Sequence, residues 1–290
     1  MKPKPVLYLV DGSSYIYRAF HALPNLTNSH GESTGAILGV ANMLRRLLQE
    51  NDPQNIAIVF DAKGKTFRHE RYPEYKANRP PMPPELSNQV EAILEFVRLL
   101  GLPLLQVTGV EADDVIGTLS RAAEQQGMEC VISTGDKDLA QLVSEHTRLV
   151  NTMTDERLDQ AGVLEKFGVR PDQIIDFLSL TGDKSDNIPG VEKCGPKTAV
   201  KWLEQYGTLD GVIEHADDIG GKIGEYLRAA LPTLPLSREL VTINRELELG
   251  ISPAELQRGE VDEPGLRKVL EKFEFSSWLK ELGTEEKDQQ

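Results

Sequence analysis

Two cysteines, Cys130 and Cys194, are all that 290 residues contain, too few for a disulfide framework or a zinc site built on thiolates. Both are expected as free thiols. No window approaches the roughly 20 apolar residues that a membrane span needs. The apolar run at residues 6–10 is strand-sized, too short for the core of a signal peptide and without a cleavage site. The expectation is a cytoplasmic protein with no membrane partner. Repeats of solenoid period and low-complexity tracts are also missing. Positive charge is scarce as well: 32 Lys and Arg face 46 Asp and Glu, a formal net charge of −14. A protein that binds nucleic acid usually carries the opposite surplus.

The distribution of charge changes that reading. Nine of the acids, taken up below, fall into five short groups; setting them aside leaves 37 acids against 32 bases. Residues 63–79 meanwhile hold Lys63, Lys65, Arg68, Arg71, Lys76 and Arg79 against Glu70 and Glu74 only. The basic footprint is concentrated there. Phe67, Tyr72 and Tyr75 interleave with those cations, a combination of stacking faces and phosphate-binding groups found in single-strand grooves.

Apolar content of 39% with 27% charged residues is ordinary for a globular protein, and the length favours two packed lobes over one core. In the first half, strand-sized apolar runs at residues 6–10, 56–60, 104–107, 130–133 and 148–150 alternate with helical patterns at about 34–50, 85–100 and 112–126, which predicts an α/β domain over residues 1–165. Residues 63–84 break the rhythm and close on Arg79-Pro-Pro-Met-Pro-Pro, which predicts a long functional loop or arch. From about residue 160 the strands stop. Helices are expected at 160–167, 171–180, 196–206, 220–230, 235–245 and 264–272, making residues 166–290 a helical lobe, with a frayed tail or linker at 283–290.

Asp11 and Asp61 each end a predicted strand, and carboxylates there project from the carboxyl edge of a sheet, where open α/β folds place their sites. Glu111, Asp113 and Asp114 open a helix; Asp136 and Asp138 follow the run at 130–133; Asp183 and Asp186 come from the helical lobe. Taken singly, each is an ordinary cap or turn residue. Five groups, all at element ends, point instead to hard oxygen ligands for Mg2+ or Mn2+. Two such ions about 4 Å apart can activate water and stabilise the leaving oxygen of a phosphodiester. Asp114, in the first turn of its helix, has capping as its alternative role. Without metal, like charges this close raise carboxyl pKa values, so a bound ion is expected to have a structural role as well.

Five ordered motifs closely resemble the 5′ nuclease domain of bacterial DNA polymerase I. They are Leu9-Val-Asp-Gly-Ser-Ser-Tyr-Ile-Tyr-Arg18, Val59-Phe-Asp-Ala-Lys-Gly-Lys-Thr-Phe-Arg68, Gly109-Val-Glu-Ala-Asp-Asp-Val115, Thr134-Gly-Asp-Lys-Asp-Leu139 and Thr181-Gly-Asp-Lys-Ser-Asp-Asn-Ile-Pro-Gly-Val191. The resemblance runs from about residue 6 to 280. It implies a PIN-like nuclease lobe, a mixed α/β sheet flanked by helices, followed by an all-helical lobe. It implies 5′→3′ exonuclease and flap endonuclease activity in DNA replication and repair, on branched or nicked duplex DNA bearing a 5′ end or flap. Two or more divalent ions would be held by Asp11, Asp61, Glu111, Asp113 and Asp136 in one group, and by Asp138, Asp183 and Asp186 in the other. The family likeness makes the arch a clamp admitting a free 5′ end, with Lys76 near the scissile phosphate; Arg79 is expected beside it, and Arg68, Arg71, Tyr72 and Tyr75 on the DNA, while Arg18 is expected as a phosphate contact with a structural ion pair as its alternative role.

Residues 187–203 resemble a helix-hairpin-helix element, expected to offer Gly190, Val191, Lys193, Gly195, Lys197 and Thr198 to duplex phosphates without reading bases. In the family this hairpin can also hold K+ through carbonyl oxygens. Lys193 and Cys194 stand where many relatives carry glycine and an aliphatic residue, so this chain departs from the pattern there. The resemblance also allows continuity with polymerase domains in a longer protein. Two rivals share parts of the pattern. A phosphatase of the haloacid dehalogenase class also places an Asp after its first strand, but its second acid two residues on is replaced here, since Gly12-Ser13 follows Asp11. A DNA-binding module whose acids only cap helices is the other.

Overall fold

The structure, a computed structural model, describes residues 4–23 and 26–288, with side chains through Leu282. Strand β1 (Val6–Asp11) leads through helices α1 (Gly12–Ala22) and α2 (Gly35–Asn51) to β2 (Asn55–Val59). Helices α3 (Phe67–Arg71) and α4 (Pro84–Leu99) precede β3 (Leu104–Leu105), and α5 (Ala112–Gln125) precedes β4 (Glu129–Ser133). A 3-10 turn at Asp138–Leu142 comes before β5 (Thr147–Asn151) and β6 (Glu156–Leu158). The helical half holds α6 (Gln160–Phe167), α7 (Ile174–Thr181), α8 (Pro196–Tyr206), α9 (Leu209–Glu214), α10 (Gly221–Ala230) and α11 (Leu234–Val241), and the chain goes on to α12 (Glu263–Lys272) and α13 (Ser276–Asp288). Among the described residues no helix is long and apolar enough to cross a membrane.

The strands form one sheet of order β3-β2-β1-β4-β5-β6, parallel throughout except for β6, which runs antiparallel to β5. The side-chain period of two sorts each strand between two apolar layers. Leu7, Leu9, Ala57, Val59, Cys130 and Ile132 pack with α5 and the helical half, while Val10, Ile56, Ile58 and Phe60 pack with α1, α2 and α4. Burial on both faces explains why these strands read as continuous apolar runs. From β1 the chain winds outward to β2 and β3, then returns to add β4 and β5 on the other side of β1. The winding therefore reverses between β1 and β4, and a crevice opens at the carboxyl ends of those two strands.

Three sequence expectations are corrected. Helices α12 and α13 do not join the helical half: Leu266, Val269, Leu270, Phe273, Phe275, Trp278 and Leu282 close over α2 and α4, with the Trp278 ring edge-on to Phe96 at 5.5 Å. Helix α13 also continues to Asp288, through most of the stretch read as a frayed tail; residues 289 and 290 lie outside the described residues. The helix expected at 235–245 stops at Val241: the Thr242 N–H still bonds to Arg238 O, but the amides after it bond elsewhere, Ile243 N–H to Gln141 Oε1 and Asn244 N–H to Asp114 Oδ1.

Candidate active site

The crevice is floored by acids that the local chain geometry aims into it. Asp11 ends β1 and caps α1, its Oδ1 accepting Ser14 N–H at 2.9 Å and its Oδ2 the Thr134 hydroxyl at 2.7 Å. Asp61 follows β2; its own N–H donates to Ser13 Oγ, and its Oδ1 accepts the N–H of Ala112, the first residue of α5. Glu111 caps α5 and Asp113 stands in its first turn, where the helix dipole favours negative charge. After β4, Asp136 Oδ1 accepts Asp138 N–H at 2.9 Å, so this pair is set by its own tight turn. Asp186 arrives from the helical half on a turn closed by paired backbone bonds between Asp183 and Ile188.

Asp11, Asp61, Glu111, Asp113, Asp136, Asp138 and Asp186 thus line one cleft of about 580 Å3, together with Arg18, Lys76, Arg79 and Lys137. Two of the nine expected acids do not. Asp114 is fully buried and spends both oxygens on Arg68, at 2.7 and 2.9 Å, and on the N–H groups of Glu111 and Asn244. Its carboxylate is a brace behind the cleft. Asp183 is also buried, bonded by Ser185 and paired with Lys137 Nζ at 3.0 Å. Burial alone would push its carboxyl up, yet the Ser185 hydroxyl and Lys137 hold it below the ordinary carboxylate range.

The remaining acids behave as a crowded anionic site. Burial, more than the neighbouring charges, pushes Asp11 up to about 7, against the pull of Ser14 and Thr134. Burial and the Asp136 charge push Asp138 up to about 8. Asp113 is driven well above its ordinary value by burial and then by Asp136 and Asp11, and Asp136 is raised by its withdrawal from water. Asp138 Oδ1 is buried without a hydrogen-bond partner. Among the described residues no three acids, imidazoles or thiolates lie close enough to hold an ion unaided. An ion such as Mg2+ or Mn2+, which keeps several waters and takes few protein oxygens at once, fits this donor set better than one needing a closed cage.

Raised carboxyl pKa values carry a stability consequence with a definite sign. Between the ordinary value near 3.8 and the folded values of about 7 and about 8, the folded protein binds more protons than the unfolded chain. This contribution to stability is complete below the lower value and is lost as pH rises through the upper ones. In chelator, the melting temperature is expected to fall between about pH 5.5 and about pH 8.5, and Mn2+ should raise it far more at the higher pH. Melting curves at both pH values, with and without Mn2+, check this; a metal response independent of pH would refute it.

The arch departs from its expected role. Arg68 and Tyr75, read as DNA-facing, are 2% and 3% exposed. The Tyr75 hydroxyl lies 2.9 Å from Glu111 Oε2 and 3.0 Å from Asp186 Oδ2, sharing its proton between them, so no ring face is free for a base. Arg71 is exposed but paired with Glu239 at 2.8 Å, and Tyr72 packs partly into the core. Lys76 Nζ sits against Glu111 and 3.6 Å from Asp186, and Arg79 pairs with Asp186. Bonds to backbone carbonyls also fasten the arch to the helical half, among them Lys76 N–H to Asp186 O, Asn78 Nδ2 to Lys184 O and Arg79 Nε to Ser185 O, with Asn187 Nδ2 reaching back to Glu74 O. Arg18 donates to Asn151 Oδ1 at 2.8 Å on the opposite wall.

The hairpin joins α7 to α8. A Cβ on Gly190 would lie 2.3 Å from the Gly182 nitrogen, so only glycine allows the two strands of the turn to touch. Val191 is a correction: its side chain is buried and its N–H is spent on Leu180 O at 2.8 Å. The Thr198 N–H likewise bonds to Gly195 O. Lys193, in the left-handed region at φ 62°, and Lys197 are exposed, and around Gly195 the space is open. Cys194 is buried and its thiol is pushed up to about 12 by that burial. Sequence reasoning missed Ser13, Ser14, Thr134 and Lys137; the first three orient acids and the last is the counter-ion of Asp183. Their adjacency to the acidic groups was the available signal.

A family model described as "5′-3′ exonuclease, N-terminal resolvase-like domain" matches residues 6–168, and "5′-3′ exonuclease, C-terminal SAM fold" matches residues 169–264. The chain belongs to the 5′-3′ exonuclease family. A curated 5′-3′ exonuclease of Aquifex aeolicus is 42% identical over 95% of this chain and 94% of its own length. DNA polymerase I of Pseudomonas aeruginosa is 51% identical over 97% of this chain but only 32% of its own length. The chain spans about a third of the polymerases it matches. Among solved structures, the bacteriophage T5 D15 protein co-crystallised with metal ions shares the fold at a TM-score of 0.68 and 22% identity, covering 92% of this chain and 98% of that one. The catalytic core of Rad2 in complex with DNA substrate does so at 0.61 and 16%, covering 93% and 87%. The mixed sheet, the helical second half and the exonuclease assignment expected from the motifs all agree with these matches. Family membership also sets aside the phosphatase rival, while α12 and α13 lie almost wholly beyond the second matched segment.

Proposed function

We propose that this chain hydrolyses phosphodiesters near the 5′ end of flapped, nicked or branched duplex DNA, using two or more Mg2+ or Mn2+ ions. The observation that carries this reading is the convergence of seven acids, one with an orphaned buried oxygen, beneath the cations of the arch. Asp11, Asp61, Glu111, Asp113 and Asp136 would hold one group of ions, and Asp138 and Asp186 the other. Asp183 stands behind Asp186 and would join them on release from Lys137. Bound there, such ions would supply the lowered pKa of an attacking water and the charge to neutralise a leaving oxygen.

The chain's own part is to place the phosphate. Lys76 and Arg79, now resting on Glu111 and Asp186, would turn to the phosphate of the strand being cut, with Arg18 on the far wall. Lys193 and Lys197 would anchor the duplex through its backbone, which supplies affinity without sequence preference. K+ at the hairpin carbonyls and continuity with polymerase domains, as in the longer Pseudomonas relative, belong to the same proposal, as does a cytoplasmic place of work.

The test is cleavage of a 5′-flap duplex by purified protein with and without Mg2+ or Mn2+. Metal-independent cleavage, or none at all, would sink the proposal, and none with tight binding would favour the DNA-binding module. Asp186→Ala should raise the metal concentration for half-maximal activity at least about tenfold. An unchanged titration would remove Asp186 from the second group.

A further inference from the structure

The strap at residues 240–244, the end of α11 and the three residues after it, is bonded to a side chain beside each acidic group without giving an acid to either. On one side lies Arg68, from the base of the arch. Its Nε donates to Leu240 O at 2.8 Å and its Nη2 to Thr242 O at 2.9 Å, while Nη1 and Nη2 form a fork on the Asp114 carboxylate. Nη1 also lies 3.2 Å from Glu111 Oε2. Four N–H groups of this guanidinium therefore hydrogen-bond inside the protein and Nη1 also faces Glu111, so that it is spent on two chain segments, the start of α5 and the strap. On the other side lies Gln141. Its Oε1 accepts Ile243 N–H at 3.0 Å, and its Nε2 donates to Val241 O and to Asp138 O, each at 3.0 Å.

We propose that Arg68 and Gln141 are positioning residues that key the strap at 240–244 between the two acidic groups, so that Glu111 and Asp138 reach the cleft in a fixed register. This rests on the metal-binding reading above. Arg68 carries the stronger arm. A bidentate fork sets both distance and orientation, which a single ammonium cannot do. Because Asp114 Oδ2 accepts Glu111 N–H as well, the fork fixes the backbone of the ligand and not only its carboxylate. Arg68 is also the residue whose position in a basic, aromatic segment suggests a phosphate contact, and its burial leaves no donor for one.

The experiment measures Mn2+ binding by calorimetry, flap-DNA affinity with its salt dependence, and single-turnover cleavage, on the whole chain and on Arg68→Lys and Gln141→Met. The expected result is Mn2+ affinity and cleavage rate each lowered about tenfold or more in Arg68→Lys, with DNA affinity within about twofold of the parent. Gln141→Met should lower Mn2+ affinity in the same direction. Weakened DNA binding with a flatter salt dependence and unchanged Mn2+ affinity would make Arg68 a phosphate contact and overturn the proposal. A lower melting temperature with normal metal affinity and rate would overturn it too, leaving a role in stability alone. Should Arg68→Lys fail to fold, Gln141→Met decides: unchanged Mn2+ affinity refutes the strap, and lowered affinity upholds it. If the parent chain itself neither binds Mn2+ nor cleaves, the failure belongs to the metal-binding reading.

Discussion

Asp113→Asn is expected to slow single-turnover flap cleavage by about 10³-fold or more, the upper range for loss of one electrostatic stabiliser, while leaving flap-DNA affinity nearly unchanged. Asp113 lines the cleft, whereas the exposed hairpin lysines that would carry the duplex, Lys193 and Lys197, are not among its lining residues. The same substitution should make the metal-free protein melt a few degrees higher at about pH 8. Burial and the charges of Asp136 and Asp11 already disfavour a carboxylate there, so a neutral amide of the same shape relieves that strain. Activity lost together with a lower melting temperature would point to misfolding, and near-normal turnover would remove Asp113 from the site.

Lys76→Ala and Lys197→Glu are expected to fail in opposite ways. Lys76 is half-buried and held against Glu111 and Asp186, which keep its ammonium charged despite the burial that opposes it. If that charge turns to the scissile phosphate, its loss falls on the transition state and costs about 10²-fold in saturated single-turnover rate, with affinity little changed. Lys197 is exposed on α8. A glutamate there should weaken affinity and flatten its salt dependence by about one phosphate contact, while the saturated rate stays within a few-fold. Salt-dependent binding curves and single-turnover time courses on one flap substrate read both. Should Lys76→Ala weaken only binding, the arch is a tether.

Acids at element ends were legible because a strand of period two followed by a carboxylate fixes where that carboxylate points, and this held for Asp11, Asp61 and Asp136. What stayed hidden depends on long-range partners. Nothing local distinguishes Arg68 from Arg71, one buried on Asp114 and the other out in solvent; the difference is made by α11 and the residue after it, which supply the Leu240 and Thr242 carbonyls to the first and Glu239 to the second. Tyr75 looked like a stacking platform for the same reason. Asp114 differed from Asp113 by one residue, and one residue is a 100° turn of helix, enough to move a carboxylate from the cleft to the interior. Strand β6, at three residues with an acidic start and an arginine, was too short to announce itself.

The closure of α12 and α13 over α2 and α4 sets the order in which this protein can be made. Seven buried apolar side chains between Leu266 and Leu282 seal that side of the sheet. At about 1.5–3 kcal/mol each, their burial is on the order of 10 kcal/mol or more, comparable to the whole net stability of a typical domain. During synthesis strands β1 to β6 leave the ribosome more than 100 residues before these helices, so the nascent sheet must wait with one apolar face uncovered. The half of the chain that carries most of the acids is therefore the first made and the last finished, and a nascent chain stalled before residue 266 should be a client for chaperones.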